Sequence, residues 1–173
     1  MALETARTRL EPWQADDGLA FRPIASNPEV MRYITDCEPW PDEGIREFVM
    51  RQMSCYAARQ FCLWKLILKE TGAVAGFCGI QPLVDTPDIE IGWWLARDRW
   101  GQGLATEAAR EALRDAFQRV GLERVVAVAQ PANRASIRVM EKLGMSFERE
   151  TTHKGIPVVF YSVTRGEERP ENS

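Results

Sequence analysis

Apolar positions along the chain change their spacing several times, and each change predicts an element. Over residues 41–59 they recur every three or four residues, which predicts an amphipathic helix. The runs 61–68, 74–80 and Ile89–Leu95 are rich in branched and aromatic residues and are separated by turn residues, so they predict a three-stranded antiparallel meander. Residues 104–120 carry two adjacent apolar rows with charges on the opposite side, which predicts a long amphipathic helix.

Three further segments follow this helix. Arg124–Ala129 is too short and too β-branched for a helix, so it predicts a buried strand. A second helix is expected over 135–143, and 147–148 and 158–163 predict the last strands.

The order of these elements predicts the fold class. A strand, a helix and a strand over 89–129 imply a right-handed parallel crossover within an otherwise antiparallel sheet. We therefore predict one mixed α/β (α+β) domain over residues 1–173, with a core over about 8–163 and a flexible tail over 165–173.

The composition excludes several classes of function. The net charge is −3, so the chain lacks the basic excess that nucleic-acid binders show. No run approaches the ~20 apolar residues that span a bilayer, and the N-terminus lacks the apolar region of a secretory signal. Four cysteines without a CxxC pair and one histidine offer little for a zinc site. We expect a cytoplasmic protein with no metal and no nucleic-acid or membrane partner.

A glycine-rich connection joins the last strand of the meander to the long helix. It consists of Trp100, Gly101, Gln102, Gly103, Leu104, Ala105 and Thr106. Glycines let the backbone turn tightly with its N–H groups uncovered, and a helix N-terminus adds unpaired amides and a positive dipole end. The pattern predicts a phosphate-sized anion site, with a plain strand-to-helix turn as the alternative. It matches neither the dinucleotide-binding fingerprint nor a Walker loop.

Three ordered motifs resemble the GNAT superfamily of N-acetyltransferases, and within it the ribosomal-protein N-terminal (alanine/serine) acetyltransferase-like branch. They are DIEIGWWL from Asp88, WGQGLATEA from Trp100, and NRAS from Asn133 followed by LGM from Leu143. The resemblance runs from about Thr8 to Val163. It implies a GNAT fold with a splayed central strand, and acetyl-CoA as co-substrate.

The resemblance also implies the cofactor-binding residues. The backbone of Trp93, Trp94 and Leu95 pairs with the pantetheine arm, and a backbone N–H near Trp94 polarises the thioester carbonyl. The amides of residues 101–106 hold the pyrophosphate, and Asn133 faces the pantetheine arm. Trp100 departs from the Arg or Gln that the family usually has there; the branch commonly has an aromatic residue instead.

Acetyl transfer to an amine needs a group that removes a proton from the ammonium form. Glu90 shares a strand face with Trp94, where burial raises a carboxyl pKa. A half-exposed glutamate paired with an arginine is the alternative. The resemblance favours Glu90 as the base, acting through water.

The departing thiolate needs a proton donor. Met140 stands where many superfamily members have a donating tyrosine, and methionine cannot donate. The resemblance implies Ser136 instead. The alternative is that Asn133 caps a helix and Ser136 merely belongs to its first turn.

Together these features predict an N-acetyltransferase that moves an acetyl group from acetyl-CoA to a primary amine, on a protein N-terminus or a small molecule. We expect direct transfer in a ternary complex, in a monomer or a homodimer. A non-catalytic acyl-CoA-binding sensor is the alternative; it would keep the loop and dispense with Glu90 and Ser136. A flavin- or nucleotide-binding protein is a second alternative, but Thr106 stands where the dinucleotide-binding fingerprint has its third glycine, which argues against it.

An aromatic and acidic segment between two predicted helices is the candidate acceptor side. Trp40 lies among Asp36, Glu38, Asp42 and Glu43. The cluster predicts attraction of a cationic amine, and the alternative is a helix N-terminus with its usual acids.

Overall fold

The computed structural model describes residues 2–34 and 37–168. The strands are β1 (Leu3–Glu4), β2 (Thr8–Glu11), β3 (Leu63–Leu68), β4 (Val74–Pro82), β5 (Ile89–Leu95), β6 (Arg124–Ala129), β7 (Ser146–His153) and β8 (Ile156–Thr164). The helices are α1 (Gly18–Ala25), α2 (Pro28–Met31), α3 (Asp42–Arg59), α4 (Leu104–Asp115) and α5 (Arg134–Lys142). A 3-10 turn (Arg97–Arg99) precedes α4, and a π-helical turn (Ala116–Val120) follows it.

All of these strands form one sheet, in the order β1-β2-β3-β4-β5-β6-β8-β7. Neighbours pair antiparallel except β5 and β6, which are parallel and are connected through α4. The meander of β3, β4 and β5 and the parallel crossover are therefore both present, and the predicted mixed α/β fold class is confirmed.

The parallel strands β5 and β6 touch at one point and then separate. Glu90 pairs with Val126, whereas on its other side β5 pairs with β4 along its whole length, from Ile89 to Leu95. The β6-facing edge of β5 is thus open beyond Glu90. Unpaired backbone groups at such an edge need other partners, so the splay creates a place where a ligand can pair with a strand.

Each face of the sheet packs against different helices. One core contains residues of α4 and α5 together with Ile91 and, at its margin, Trp93. The other contains residues of α1 and α3, with Trp94 at its margin. Since side chains alternate along a strand, Glu90 lies on the same face as Trp94, as the period-two pattern predicts.

Two elements differ from expectation. β7 extends over Ser146–His153 rather than 147–148, because its strand form comes from pairing with β8 and its side chains are exposed, so no apolar alternation marks it. The second is α2: the helix start at residues 27–31 of the sequence predicts a helix that ends near residue 38, whereas α2 is only one turn long. Of the predicted tail, residues 169–173 lie outside the described part, as does Asp36 of the acidic cluster.

The helices of residues 2–34 and 37–168 are either too short or too polar to cross a membrane.

Candidate active site

The gap between β5 and β6 opens into a cleft of about 570 Å³. The loop before α4 forms one end, and residues of α2, α3 and the β7–β8 turn form the other. Most of the predicted site residues line this one cleft: Glu90, Trp93, Trp94, Leu95, Gly101, Gly103, Leu104, Ala105, Thr106, Asn133 and Ser136. Gln102 is the exception.

The glycine loop presents backbone amides to the cleft. Gly101 and Gly103 have φ of +72° and +78°, a left-handed conformation that side chains resist, and Gly103 is the N-cap of α4. The first-turn N–H groups of α4 have no partner within the helix. Among the described residues, nothing lies within 4 Å of a Cβ added at Gly101, so the loop is open at that position. The geometry suits an anionic group without any cationic side chain.

Gln102 makes hydrogen bonds that hold the loop in place. Its Nε2 donates to the Asp98 carbonyl at 2.9 Å, and its own carbonyl accepts from Nη1 of Arg7 at 2.9 Å. Nε of Arg7 donates to Glu107 in the first turn of α4 at 2.7 Å. The side-chain Nε2 and the backbone carbonyl of Gln102 are thus bonded outside the cleft, and the expectation that its backbone amide contacts the cofactor stays a prediction.

Trp100 ties the loop to the end of β5. Its indole N–H donates to the Leu95 carbonyl at 2.9 Å, and the guanidinium of Arg97 lies 4.7 Å from the ring centre. The aromatic residue that replaces the family's usual Arg or Gln thus fixes the distance between the open strand edge and the amides of α4.

The register identifies the amides of β5 that face the gap. Ala96 donates its N–H to Ala75 in the extension of β4 at 2.8 Å. Since backbone groups alternate in direction along a strand, those of Trp94 also point to β4, and those of Trp93 and Leu95 point into the gap. An amide that could polarise a carbonyl is thus that of Trp93 or Leu95, next to Trp94, where the sequence analysis expects one.

Glu90 is half-buried in the cleft at the point where β5 and β6 part. Its Oε1 accepts a hydrogen bond from Nε2 of Gln81 at 2.8 Å. Burial raises the pKa of the Glu90 carboxyl above its ordinary value, while the Gln81 hydrogen bond and the charge of Lys154 oppose that rise. The partner of Glu90 is therefore an amide, and the arginine pair considered as an alternative is absent from the described residues.

A chain of side-chain amides leads from the core to Glu90. The buried N–H of Leu63 donates to Oε1 of Gln52 at 2.9 Å, and Nε2 of Gln52 donates to Oε1 of Gln81 at 3.1 Å. Gln52 is only 1% exposed. Because a backbone N–H can only donate, it fixes which way each amide is turned, and Glu90 receives a donor at the end of the chain.

The N-terminus of α5 places Ser136 at the cleft. Asn133 is the N-cap, and its side-chain oxygen accepts the N–H of Ser136 at 3.2 Å. The capping role considered for Asn133 is thus observed, and it coexists with a position on the cleft wall. The hydroxyl of Ser136 has no hydrogen-bond partner within the described part of the chain.

Aromatic rings form the wall opposite the glycine loop. Trp40 and Trp94 lie 4.8 Å apart between ring centres, and Phe48 lies 5.6 Å from Trp40. His153 also lines the cleft, and burial, together with the charge of Lys154, lowers its pKa, so the imidazole is mainly neutral at pH 7. This end of the cleft can hold the apolar part of an acceptor.

Two acids of the cluster around Trp40 have partners within the chain. Asp42 pairs with Arg22 at 2.7 Å and Glu43 pairs with Arg46 at 2.6 Å. Trp40 lines the cleft, whereas Glu38, Asp42 and Glu43, the acids of the cluster that the structure describes, do not.

The sequence analysis missed several residues that line the cleft or support its side chains. Gln52 and Gln81 hold Glu90, and Arg51 and Lys154 place positive charges at the same end. A polar residue on the buried face of α3 was the one available indication, since Gln52 follows Phe48 and Val49 at helical spacing. Nowhere in residues 2–34 or 37–168 does a group of three or more His, Cys, Asp or Glu side chains have the arrangement of a metal site.

Comparison with known proteins relates this geometry to a family. The sequence model of the acetyltransferase (GNAT) domain matches residues 7–146. The uncharacterized N-acetyltransferase p20 of Bacillus licheniformis is 30% identical over 151 residues, 86% of this chain and 83% of that protein. The crystal structure of a GNAT-family acetyltransferase from Bacillus anthracis has a TM-score of 0.81 at 26% identity, covering 95% of this chain and 98% of the other.

One similar structure contains coenzyme A. RimL, a ribosomal L7/L12 alpha-N-protein acetyltransferase in complex with coenzyme A, has a TM-score of 0.79 and covers 95% of this chain and 98% of its own. Its sequence is 16% identical to this one, so the likeness shows a shared fold. The ribosomal-protein acetyltransferases that the motifs resemble are thus among the structural neighbours.

Proposed function

The chain belongs to the GNAT acetyltransferase family, and from that premise we propose that it transfers an acetyl group from acetyl-CoA directly to a primary amine in a ternary complex. One observation carries the proposal: the open edge of β5, the unpaired amides of α4 and the half-buried Glu90 line a single cleft. We place this activity in one domain over the whole chain, in the cytoplasm, in keeping with the free thiols of its cysteines.

The coenzyme end of the cleft is built from backbone. The amides of Leu104, Ala105 and Thr106 in the first turn of α4 hold the pyrophosphate, and the open approach at Gly101 fits a group of that size. The gap-facing edge of Trp93 and Leu95 pairs with the amide groups of the pantetheine arm. An amide of this edge polarises the thioester carbonyl as negative charge develops on its oxygen.

Glu90 removes the proton from the amine, directly or through a water molecule. Burial raises its pKa towards the working range of a general base, and the amide chain keeps its Oε1 occupied, which leaves Oε2 for the proton. The neutral amine nitrogen then forms a bond to the acetyl carbon while the carbon–sulfur bond breaks.

Ser136 returns a proton to the departing sulfur and recovers one from solvent. The hydroxyl is at the cleft wall with no hydrogen-bond partner in the described residues, whereas Met140 on the same helix has no proton to give. Asn133 holds the turn that carries Ser136.

Direct transfer is favoured over an acetyl-enzyme by the positions of the thiols. No cysteine of the described residues lines the cleft, and burial raises the pKa of the Cys62 and Cys78 thiols. A nucleophilic thiol needs the opposite shift, towards the thiolate.

The acceptor is a primary amine on a protein N-terminus or a small molecule. RimL, which shares the fold, acts on the N-terminus of a ribosomal protein and supports the first class. The sensor alternative gains no support from the site, because a module that only binds the coenzyme has no use for a buried amide chain that holds Glu90.

Calorimetric titration with acetyl-CoA, followed by thiol release with a panel of amines and N-terminal peptides, tests the proposal. We expect micromolar binding and amine-dependent thiol release. Binding with no release from any amine would favour the sensor, and absence of binding would overturn the assignment of the loop.

A further inference from the structure

Charged side chains are distributed unevenly in the cleft. Glu90 is the only carboxylate among the described residues that line it. The basic lining residues are Arg51, Arg99, Arg138, Lys142 and Lys154. This excess of positive charge stands in a chain whose net charge is −3.

The coenzyme accounts for only part of this excess. Arg99 immediately precedes the glycine loop, and Arg138 and Lys142 lie on α5, so all three are near the elements that we assign to the coenzyme. Arg51 on α3 and Lys154 in the β7–β8 turn lie instead at the acceptor end.

Arg51 and Lys154 lie on different elements at the acceptor end of the cleft. The guanidinium of Arg51 lies 5.7 Å from the ring centre of Phe48 in the aromatic wall. Gln52, the next residue of α3, is linked to Glu90 through Gln81, so this part of α3 packs near Glu90. The charge of Lys154 acts on Glu90 and on the adjacent His153.

Neither cation has a carboxylate partner within the part of the chain that the structure describes. Most other basic groups on the surface do: Arg22 pairs with Asp42, and Arg46 pairs with Glu43. Both Arg51 and Lys154 are exposed side chains that line the cleft, so they are accessible to a bound molecule.

We infer that the acceptor carries a carboxylate close to its amine, bound between Arg51 and Lys154 while the amine faces Glu90. This inference rests on the proposed acetyl transfer and names the substrate class for it. Two unpaired cations beside a single carboxylate match a molecule that bears one negative and one positive group. A simple polyamine is disfavoured, because its second ammonium group would meet like charges.

A carboxylate near an amine can come from two sources. A free amino acid has its α-carboxylate, and a peptide has an acidic side chain at its N-terminal residue. The test therefore uses substrate pairs that differ only in this group: an amino acid against its amide, and peptides beginning with Asp or Glu against those beginning with Asn or Gln.

Thiol release is measured for each pair with the wild-type protein, R51Q, K154Q and the double variant. At a pH where Glu90 is ionised in every variant, we expect KM to be about tenfold lower for the carboxylate member of at least one pair, and the double variant to remove that preference with little change in kcat. The pH matters because loss of the Lys154 charge raises the pKa of Glu90 further. The preference should weaken as ionic strength rises. R46Q is the matched control, since Arg46 lies on the same helix but pairs with Glu43 outside the cleft.

The possible outcomes distinguish failure of the carboxylate subsite from failure of the proposed acetyl transfer. Equal KM values within every pair, or a preference that survives in the double variant, overturn the carboxylate subsite and leave acetyl transfer standing. Release only with amines that lack a carboxylate also overturns the subsite and leaves acetyl transfer standing. No release from any charged or neutral amine overturns the proposed function, and the subsite falls with it. Calorimetry with acetyl-CoA on each variant shows whether the coenzyme site is intact.

Discussion

Backbone groups form one end of the cleft, and side chains form the other. The coenzyme end consists of backbone: the gap-facing edge of β5 and the first turn of α4, both within residues 93–106. The acceptor end consists of side chains that α3, β4, β5 and the β7–β8 turn bring together. A backbone site depends on a few glycines that permit its conformation, whereas a side-chain site depends on every residue that positions another.

This difference predicts how each end responds to substitution. At the coenzyme end, a change acts by blocking access to amides, so its effect follows the size of the new side chain. At the acceptor end, a change acts by altering charge, orientation or protonation, so isosteric substitutions are enough. The predictions below test this contrast in order of decreasing effect.

The largest effect is expected from G103W. A tryptophan at the N-cap of α4 adds the strain of a left-handed conformation, about 1–2 kcal/mol. Its Cβ would also lie 3.6 Å from Nη2 of Arg7, so the bulky side chain displaces the loop that carries the first-turn amides. We expect calorimetry to detect no binding of coenzyme A. G121W is the matched control, because Gly121 has φ of +84° and lies outside the cleft. Equal losses in both variants would show that strain, rather than the displaced amides, explains the result.

E90Q removes the proposed base while preserving its shape. We expect kcat to fall on the order of 10²- to 10⁴-fold, with the affinity for coenzyme A unchanged. Because burial raises the pKa of Glu90, wild-type kcat/KM should fall as the pH drops through that raised value, where the carboxylate becomes protonated.

The shape of the pH profile decides the assignment of Glu90. The fall of kcat/KM at low pH, the acid limb of the profile, should disappear in E90Q. It should persist in E150Q, a change on the exposed face of β7. If E90Q keeps the wild-type rate and limb, another group is the base, and His153, which also lines the cleft, is the next to test.

The backbone geometry at the end that we assign to the coenzyme could be predicted because its determinants are local. The spacing of Gly101 and Gly103, the apolar rows of α4 and the alternation along β5 each lie within about twenty residues. Local pattern also placed Glu90 on the right strand face. Sequence order does not show that Arg7, 95 residues away, holds the loop through the Gln102 carbonyl.

The acceptor end could not be predicted in the same way. Gln52 and Gln81 are 29 residues apart, and only the packing of α3 on the sheet brings their side chains together. Lys154 reaches the cleft because β7 pairs along β8, although β7 has no apolar pattern. The acidic cluster shows a related effect: composition gives the charges but does not show that Asp42 and Glu43 already have partners.

S136A separates a proton donor from a structural serine. We expect kcat to fall about tenfold while the melting temperature stays within a degree or two, because Asn133 still caps α5. N133A provides the comparison, since loss of the cap costs roughly 1 kcal/mol of folding free energy. An S136A enzyme with unchanged kcat, or one that loses activity only in proportion to its stability, would remove Ser136 from the chemistry.

The smallest effect, and the most specific to the acceptor end, is expected from Q81L. The substitution removes the N–H that Glu90 accepts, so the carboxylate loses stabilisation and its pKa rises further. A hydrogen bond to a charged group corresponds to about one pH unit, so the acid limb of kcat/KM should move up by about that amount while the rate at high pH is retained. Q52L instead leaves the buried N–H of Leu63 without a partner, at about 1–3 kcal/mol of stability, and should shift the limb less because Gln81 remains. A Q81L profile that coincides with the wild type would mean that the amide chain stabilises the fold but does not set the proton affinity of Glu90.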